Sequence, residues 1–280
     1  MMNRWLIASV LTFLAFFVWM PLWLLISGSF MSGAEAAENF APVIEGAAGS
    51  AIWPVLPNYP TLRPYFELLL DSPEFFVMFW NSCFQVFPIV LGQILIGAPA
   101  AWAFARYRFR GRKILITLYI ILMLMPFQVT MVSSYLVLDG LGLMDTIFAI
   151  ILPGAASTFP VFIMMRFFSD IPKAITESAA IDGAGPFEIF VRIGLPMGAP
   201  GILSAVVLGF LEHWNALEVP LTFLRDKSKW PLSLYLPSVS AENLGISMVA
   251  SVIMLIPALL IFLFGQKYLE QGISASGLKD

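Results

Sequence analysis

Six stretches of the chain carry no Asp, Glu, Lys or Arg: residues 5–34, 75–105, 114–138, 146–165, 193–211 and 243–266. Apolar residues run on continuously within them, without the alternation of a half-buried strand, which favours helices over the strands of a barrel. A helix needs about 20 apolar residues to cross a bilayer core, and lipid obliges the backbone to satisfy its own hydrogen bonds. The pattern predicts six transmembrane helices, at about 5–27, 77–105, 114–136, 146–168, 199–224 and 246–266. The first run could instead be a signal peptide, with Ala34-Glu35-Ala36 resembling a cleavage site. Its apolar stretch from Trp5 to Ile26 is much longer than a signal core, which favours an uncleaved anchor.

The segments between the runs set the topology. Arg106, Arg108, Arg110, Arg112 and Lys113 crowd the loop between the second and third spans. Arg4, Arg166, Lys173, Arg192, Lys267 and Lys279 fall on the same side, against Arg63, Arg225, Lys227 and Lys229 on the other. The positive-inside rule then places both termini in the cytoplasm. The first external loop, 28–74, is long and acidic, with prolines concentrated at Pro54–Pro64 and a candidate interfacial helix at Phe66–Leu70. The reading is a single all-α membrane domain over 1–280, with a cytoplasmic loop at 169–198 and a cytoplasmic tail at 267–280.

Composition narrows the function classes. Hydrophobic residues make up 59 % of the 280 and charged residues 12 %, more apolar than a water-soluble domain. One Cys and one His exclude a disulfide framework and His-rich metal ligation, and a net charge of −3 argues against nucleic acid as a partner. The chain has no Gly-x-x-x-x-Gly-Lys-Ser/Thr, so ATP binding of the P-loop kind must come from another subunit.

The loop after the fourth span is well punctuated. Ser169 or Asp170 is a candidate cap, Pro172 suits a first turn, and Lys173 to Asp182 fill about three turns. Gly183 supplies a left-handed terminus, and Pro186 opens a second short helix that Gly194 and Pro196 end. Ser178, Ala179 and Ala180 permit close approach of another surface; Glu177 and Asp182 offer carboxylates, and Ile181 and Phe187 offer apolar anchors.

Glu177-Ser178-Ala179, Asp182-Gly183, nine residues and then Ile193-Gly194-Leu195-Pro196 resembles the EAA loop of ABC-importer permeases, with Ser178 in place of an Ala. The likeness is to the carbohydrate branch, in particular the smaller permease subunit of maltose-type and glycerol-phosphate-type importers. It extends through Phe79-Trp80-Asn81-Ser82, Ala105–Arg112, Met125-Pro126-Phe127-Gln128, Gly140–Leu143, Trp214-Asn215 with Pro220-Leu221, and Gly272–Lys279. The resemblance implies a type I importer permease, not an enzyme. It would work with a second homologous permease, two ATPases that bind ATP and Mg, and an external solute-binding protein, in a bacterial-type inner membrane. It assigns Glu177, Ser178, Ala179, Asp182 and Gly183 to a coupling helix gripped by the ATPase, and Ile193, Leu195 and Pro196 to fixing that loop to the fifth span. Ser276, Gly277 and Lys279 in the tail become candidate ATPase contacts.

Ionisable and amide groups inside a span usually face a bundle interior or a wet cavity. Glu212, Trp214, Asn215 and Glu218, with Gln128, are therefore candidates for a sugar path; Gln85 and Gln93 are weaker ones. In one continuous helix Glu212 would share a face with Asn215, and Trp214 with Glu218. Polar glue between helices is the competing role. Two other functions remain open on sequence grounds: an importer permease for a non-sugar solute, and a secondary carrier using Glu212 and Glu218.

Overall fold

In the computed structural model, which describes residues 4–44, 50, 52, 54–235 and 244–277, proline and polar side chains decide where several of the apolar helices stop. The described helices are α1 (Arg4–Gly28), α2 (Gly33–Ile44), α3 (Arg63–Leu70), α4 (Pro73–Arg106), α5 (Arg112–Leu124), α6 (Phe127–Gly140), α7 (Phe148–Ala155), α8 (Thr158–Asp170), α9 (Lys173–Ile181), α10 (Pro186–Ile189), α11 (Leu195–Trp214), α12 (Glu218–Phe223) and α13 (Leu244–Gly277). Five apolar helical segments among them are long enough to cross a membrane: Leu6–Gly28, Pro73–Arg106, Phe148–Asp170, Pro186–Trp214 and Leu244–Glu270. The pair α5 and α6 makes a sixth when taken together, but bends by 106° at its break.

Three expectations need correction. The span read as a straight helix over 114–136 is broken at Met125, whose ψ of 124° is extended. Pro126 follows, and the residue before a proline is pushed out of the helical region. The span expected at 199–224 is displaced: its helix runs over Pro186–Trp214 and stops. Pro220 has no N–H to return to the Ala216 carbonyl, and Ser233 Oγ takes that acceptor at 2.6 Å instead. Asn215 Nδ2 donates to the Leu211 carbonyl at 2.8 Å, capping the end of α11. Finally, Gly194 and Pro196 do not end a helix. They lie within one apolar segment, where Phe190–Gly194 form a single π-helical turn. The Leu195 N–H bonds to the Phe190 carbonyl, and the wider turn lets the chain pass through Pro196.

The described chain divides into two compact units. The first holds residues 1–77 and 235–257. Here Trp23 Nε1 and Ser27 Oγ both donate to the Val55 carbonyl, at 3.0 and 2.9 Å. The buried Glu35 carboxylate accepts the Asn58 and Tyr59 N–H groups at 2.6 and 3.3 Å. Helix α2 is absent from the sequence reading of this loop. It forms because Ala36, Asn39 and Phe40 recur on one face and are buried.

The second unit holds residues 78–234 and 258–280. Its central packing sets α8 against α11, with Gly198 and Gly201 facing the rings of Phe168 and Phe167. Small residues at a helix crossing allow the close approach on which van der Waals packing in lipid depends. A core of Ala98, Ala101, Trp102, Val161, Met164, Phe168 and Ala205 joins α4, α8 and α11.

Candidate functional site

The loop after α8 is a short helix held out on a rigid base. Helix α9 starts after Pro172 with no side-chain cap. Ser169 Oγ donates to the Met165 carbonyl at 2.8 Å inside α8, so it is not the cap, and neither is Asp170. The C-terminus is tied as expected of a left-handed glycine. Gly183 has φ of +89°, the Ala184 N–H bonds to the Ala179 carbonyl at 3.0 Å, and the Gly183 N–H to Ala180 at 3.2 Å. These 6→1 and 5→2 bonds form a Schellman motif.

No residue of α9 is buried. Glu177, Ser178 and Asp182 are exposed and Ala179 is half-buried. Among the described residues neither Glu177 nor Asp182 has an ion-pair partner. Ile181 is 86 % exposed and Phe187, at the start of the next helix, 78 %. Large apolar side chains this exposed beside free carboxylates make a surface suited to a protein partner.

The base of this loop was not apparent in the sequence. Trp102 near the end of α4 lies edge-on to Phe168 at 5.4 Å and tilted against Phe190 at 5.8 Å. Arg106, one turn further, stands over the Trp102 ring at 5.2 Å. It also donates through a terminal guanidinium nitrogen to the Ile171 carbonyl at 2.7 Å, where α8 gives way to α9. Ile189, Phe190 and Leu195 pack on the same core from the far side of the loop. Buried Gly194 leaves room for Trp102, since a Cβ there would lie 2.9 Å from the ring. Of the three residues expected to fix the loop, Leu195 packs on the core, Ile193 is half-buried and Pro196 is exposed. The sequence assigns Arg106 no role in this loop; its helical spacing from Trp102 was the available signal.

The candidate sugar path is only partly assembled. A cavity of about 380 Å³ is lined by Glu212 and His213, by Gln85, and by hydroxyls including Thr130, Ser134 and Ser157. Gln93 Nε2 contacts His213 Nε2 at 3.1 Å and the Gly154 carbonyl at 2.9 Å. Trp214 is 2 % exposed, stacked on Phe210 at 5.3 Å, so it is packing rather than lining. Asn215 is spent on its cap. Gln128 Nε2 donates to both Glu218 carboxylate oxygens at 2.7 Å, an exposed pair separate from Glu212 in sequence and helix. Glu212 and Glu218 therefore do not share one continuous helix, and the face expected for Trp214 and Glu218 does not exist. The hydroxyls of the cavity come from α6 and from the start of α8, well before Glu212 in the sequence. Of the tail candidates, Ser276 and Gly277 continue the α13 backbone, while their side chains and Lys279 lie outside the described residues.

A further polar cluster fixes the segment after α12. Asp145 Oδ1 accepts the Arg225 and Asp226 N–H groups at 3.0 Å each, and Lys229 Nζ reaches Asp145 Oδ2 at 3.1 Å. These hydrogen bonds, the Asp226 N–H first and Lys229 next, hold the Asp145 carboxyl below its usual range. Ser228 does the same for Asp226, and Asp145 raises Lys229. Helix α4 grips this segment through one face: Asn81 Nδ2 donates to the Ser228 carbonyl at 2.7 Å, Gln85 Nε2 to Lys229 at 3.0 Å, and Ser82 Oγ accepts the Leu232 N–H at 2.7 Å.

Residues 93–275 match the family of binding-protein-dependent transport system inner membrane components. The chain belongs to this family. The match spans the loop after α8 and its base, and identifies the molecule as a membrane permease rather than an enzyme. The permease is 28 % identical over 98 % of its length to the arabinooligosaccharides transport system permease protein AraQ of Halalkalibacterium halodurans, covering 96 % of that protein. It is 32 % identical to the AraQ permease of Bacillus subtilis, with 80 % of each chain covered. Its fold is that of a chain in the crystal structure of a bacterial ABC transporter involved in the import of the acidic polysaccharide alginate. The TM-score there is 0.77 at 22 % identity, over 94 % of this permease and 95 % of that chain.

Proposed function

We propose that the permease is one subunit of an ATP-driven saccharide importer of the inner membrane, with α9 as the helix that an ATPase subunit grips. The observation that carries this is the contrast between α9, none of whose residues is buried, and the buried Trp102–Phe168 base beneath it. A helix anchored at both ends transmits a partner's movement as rigid-body displacement. Ile181 and Phe187 enter apolar recesses of the ATPase, and Glu177 meets a basic group. ATP and Mg reside on that subunit. A second permease and an external solute-binding protein complete the assembly, and both termini of this chain face the cytoplasm.

A saccharide cargo is supported by the AraQ relatives and by a cavity whose polar lining is hydroxyl, amide, one imidazole and a single carboxylate. Such groups exchange hydrogen bonds with sugar hydroxyls in kind. Glu212 and His213 are the residues assigned to it, while Gln85 is held by the Lys229 carbonyl. The test is purification from the native membrane in mild detergent, with mass spectrometry of what accompanies the chain. An ATPase and a second permease are expected, and the ATPase should be lost from the Glu177→Lys variant. A chain that emerges alone under several gentle conditions removes the coupling role of α9 and restores the carrier reading.

A further inference from the structure

Five cations, Arg106 to Lys113, crowd the end of α4, the turn after it and the start of α5, and the topology uses only their sum. Arg106 is spent on Trp102 and Ile171. Arg108, Arg110, Arg112 and Lys113 have no carboxylate partner among the described residues. Three of them, with Phe109, Gly111 and Ile114, line an open pocket of about 440 Å³. Its geometry is fixed from within. Gly111 adopts φ of +85°, folding Arg108-Phe109 back beside Arg112-Lys113. Arg112 Nε donates to the Phe104 carbonyl at 2.7 Å, which anchors its guanidinium and leaves the terminal nitrogens free. Phe109 rests against Phe104 at 6.1 Å.

The pocket opens beside an apolar stripe. Ile114 is 68 % exposed, and Leu118 and Ile121, one and two turns along the same face of α5, are 47 and 50 % exposed. Unpaired guanidinium and ammonium groups at the end of an exposed apolar helix face match one kind of molecule. It has an oxyanion head of phosphate geometry and a hydrocarbon tail.

We propose that this pocket binds the phosphate headgroup of an anionic phospholipid, with the acyl chain lying along Ile114, Leu118 and Ile121. Arg108 and Lys113 supply the exchangeable charge, and Arg112 the fixed fork. A lipid held here ties the α4–α5 turn to the bilayer surface, one helical segment from the base of the coupling loop.

The test uses the permease with its co-purifying subunits in nanodiscs of phosphatidylcholine doped with phosphatidylglycerol. Native mass spectrometry counts the lipid retained by wild type, by R108Q/K113Q, and by a charge-matched control, R63Q/K267Q. Wild type and control should retain phosphatidylglycerol in preference to phosphatidylcholine. The double variant should bind it about 30-fold more weakly, the loss expected for two interfacial cations. R108Q alone gives about fivefold, which serves if the double variant fails to accumulate. Equal retention of the two lipids, or equal losses in variant and control, overturns the proposal. Inorganic phosphate binding as tightly as the lipid, and lost in the same variant, assigns the pocket to a soluble anion instead and also overturns it.

Discussion

Gly183 offers a test in which conformation alone can be varied. Its φ of +89° lies where L residues are strained, and a Cβ built there meets nothing within 4 Å. Steric conflict with neighbours is therefore absent, and the whole cost of a side chain is local. Adopting the left-handed region costs an L residue about 1–2 kcal/mol, less for Asn and more for a β-branched residue. An energy of that size changes an equilibrium by a factor of about 5 to 30. The series Gly183→Asn, Gly183→Ala and Gly183→Val should weaken the α9 terminus in that order.

The direct assay is hydrogen exchange. The Ala184 N–H is bonded to the Ala179 carbonyl only while Gly183 holds its conformation. Its protection should drop slightly in the Asn variant, about fivefold in the Ala variant and further in the Val variant, with α8 and α11 unaffected. Recovery of the ATPase subunit on purification should follow the same order. A Val variant as protected as the Asn variant would refute the argument, because it would mean that the turn does not require positive φ.

Other outcomes follow from the site. Ile181→Ser with Phe187→Ser should abolish co-purification of the ATPase while leaving the thermal midpoint of the chain unchanged, since both side chains are 78 % exposed or more. Trp214→Ala should cost about 3–5 kcal/mol of stability, measured by thermal unfolding; Glu212→Gln should spare stability and depress uptake. Had Trp214 lined the cargo cavity, the first of these would behave like the second. The Asp145–Lys229 cluster should respond to pH in two directions. Its carboxylates are depressed, so their contribution is present above the unfolded value near 4 and falls away in more acid solution. Lys229 is raised, so its contribution is complete below an unfolded value near 10.4 and is lost as pH climbs past its folded value. Proteolysis of the 225–230 segment should accelerate at both extremes, and Asp145→Asn should blunt the acid arm.

Some of this was legible and some was not, for reasons that differ by residue. The loop after α8 was readable because its signals are local: Gly183 needs only its own φ, and its bonds reach five residues at most. The apolar runs likewise announce helices through their own composition. The ends of those helices depended on partners elsewhere. Ala216 loses its helical donor to Pro220, but the chain stops there because Ser233 supplies a replacement. Trp214 looked like a sugar platform on chemical grounds, and only the rings of Phe79 and Phe210 show that it is packing. Arg106 was counted as a topological charge because its acceptor, Ile171, lies 65 residues away.

Helix α4 explains why a permanent anchor at Arg106 bears on transport. The same helix that carries Trp102 and Arg106 under the loop after α8 carries Asn81, Ser82 and Gln85 against the 228–232 segment. At 1.5 Å per residue, Asn81 and Arg106 are separated by roughly 37 Å, more than the thickness of a hydrocarbon core. The two ends thus bracket the membrane. Each is fastened by side chain to backbone carbonyl or amide, contacts that hold a chain segment irrespective of what residues it presents. Pro88 and Pro99 lie between them in α4 and remove two backbone donors from its interior. Bending is therefore cheapest between the two fastenings rather than at either of them. If an ATPase moves α9, as proposed, the displacement would pass through the Trp102–Arg106 base to α4 and be taken up at its prolines.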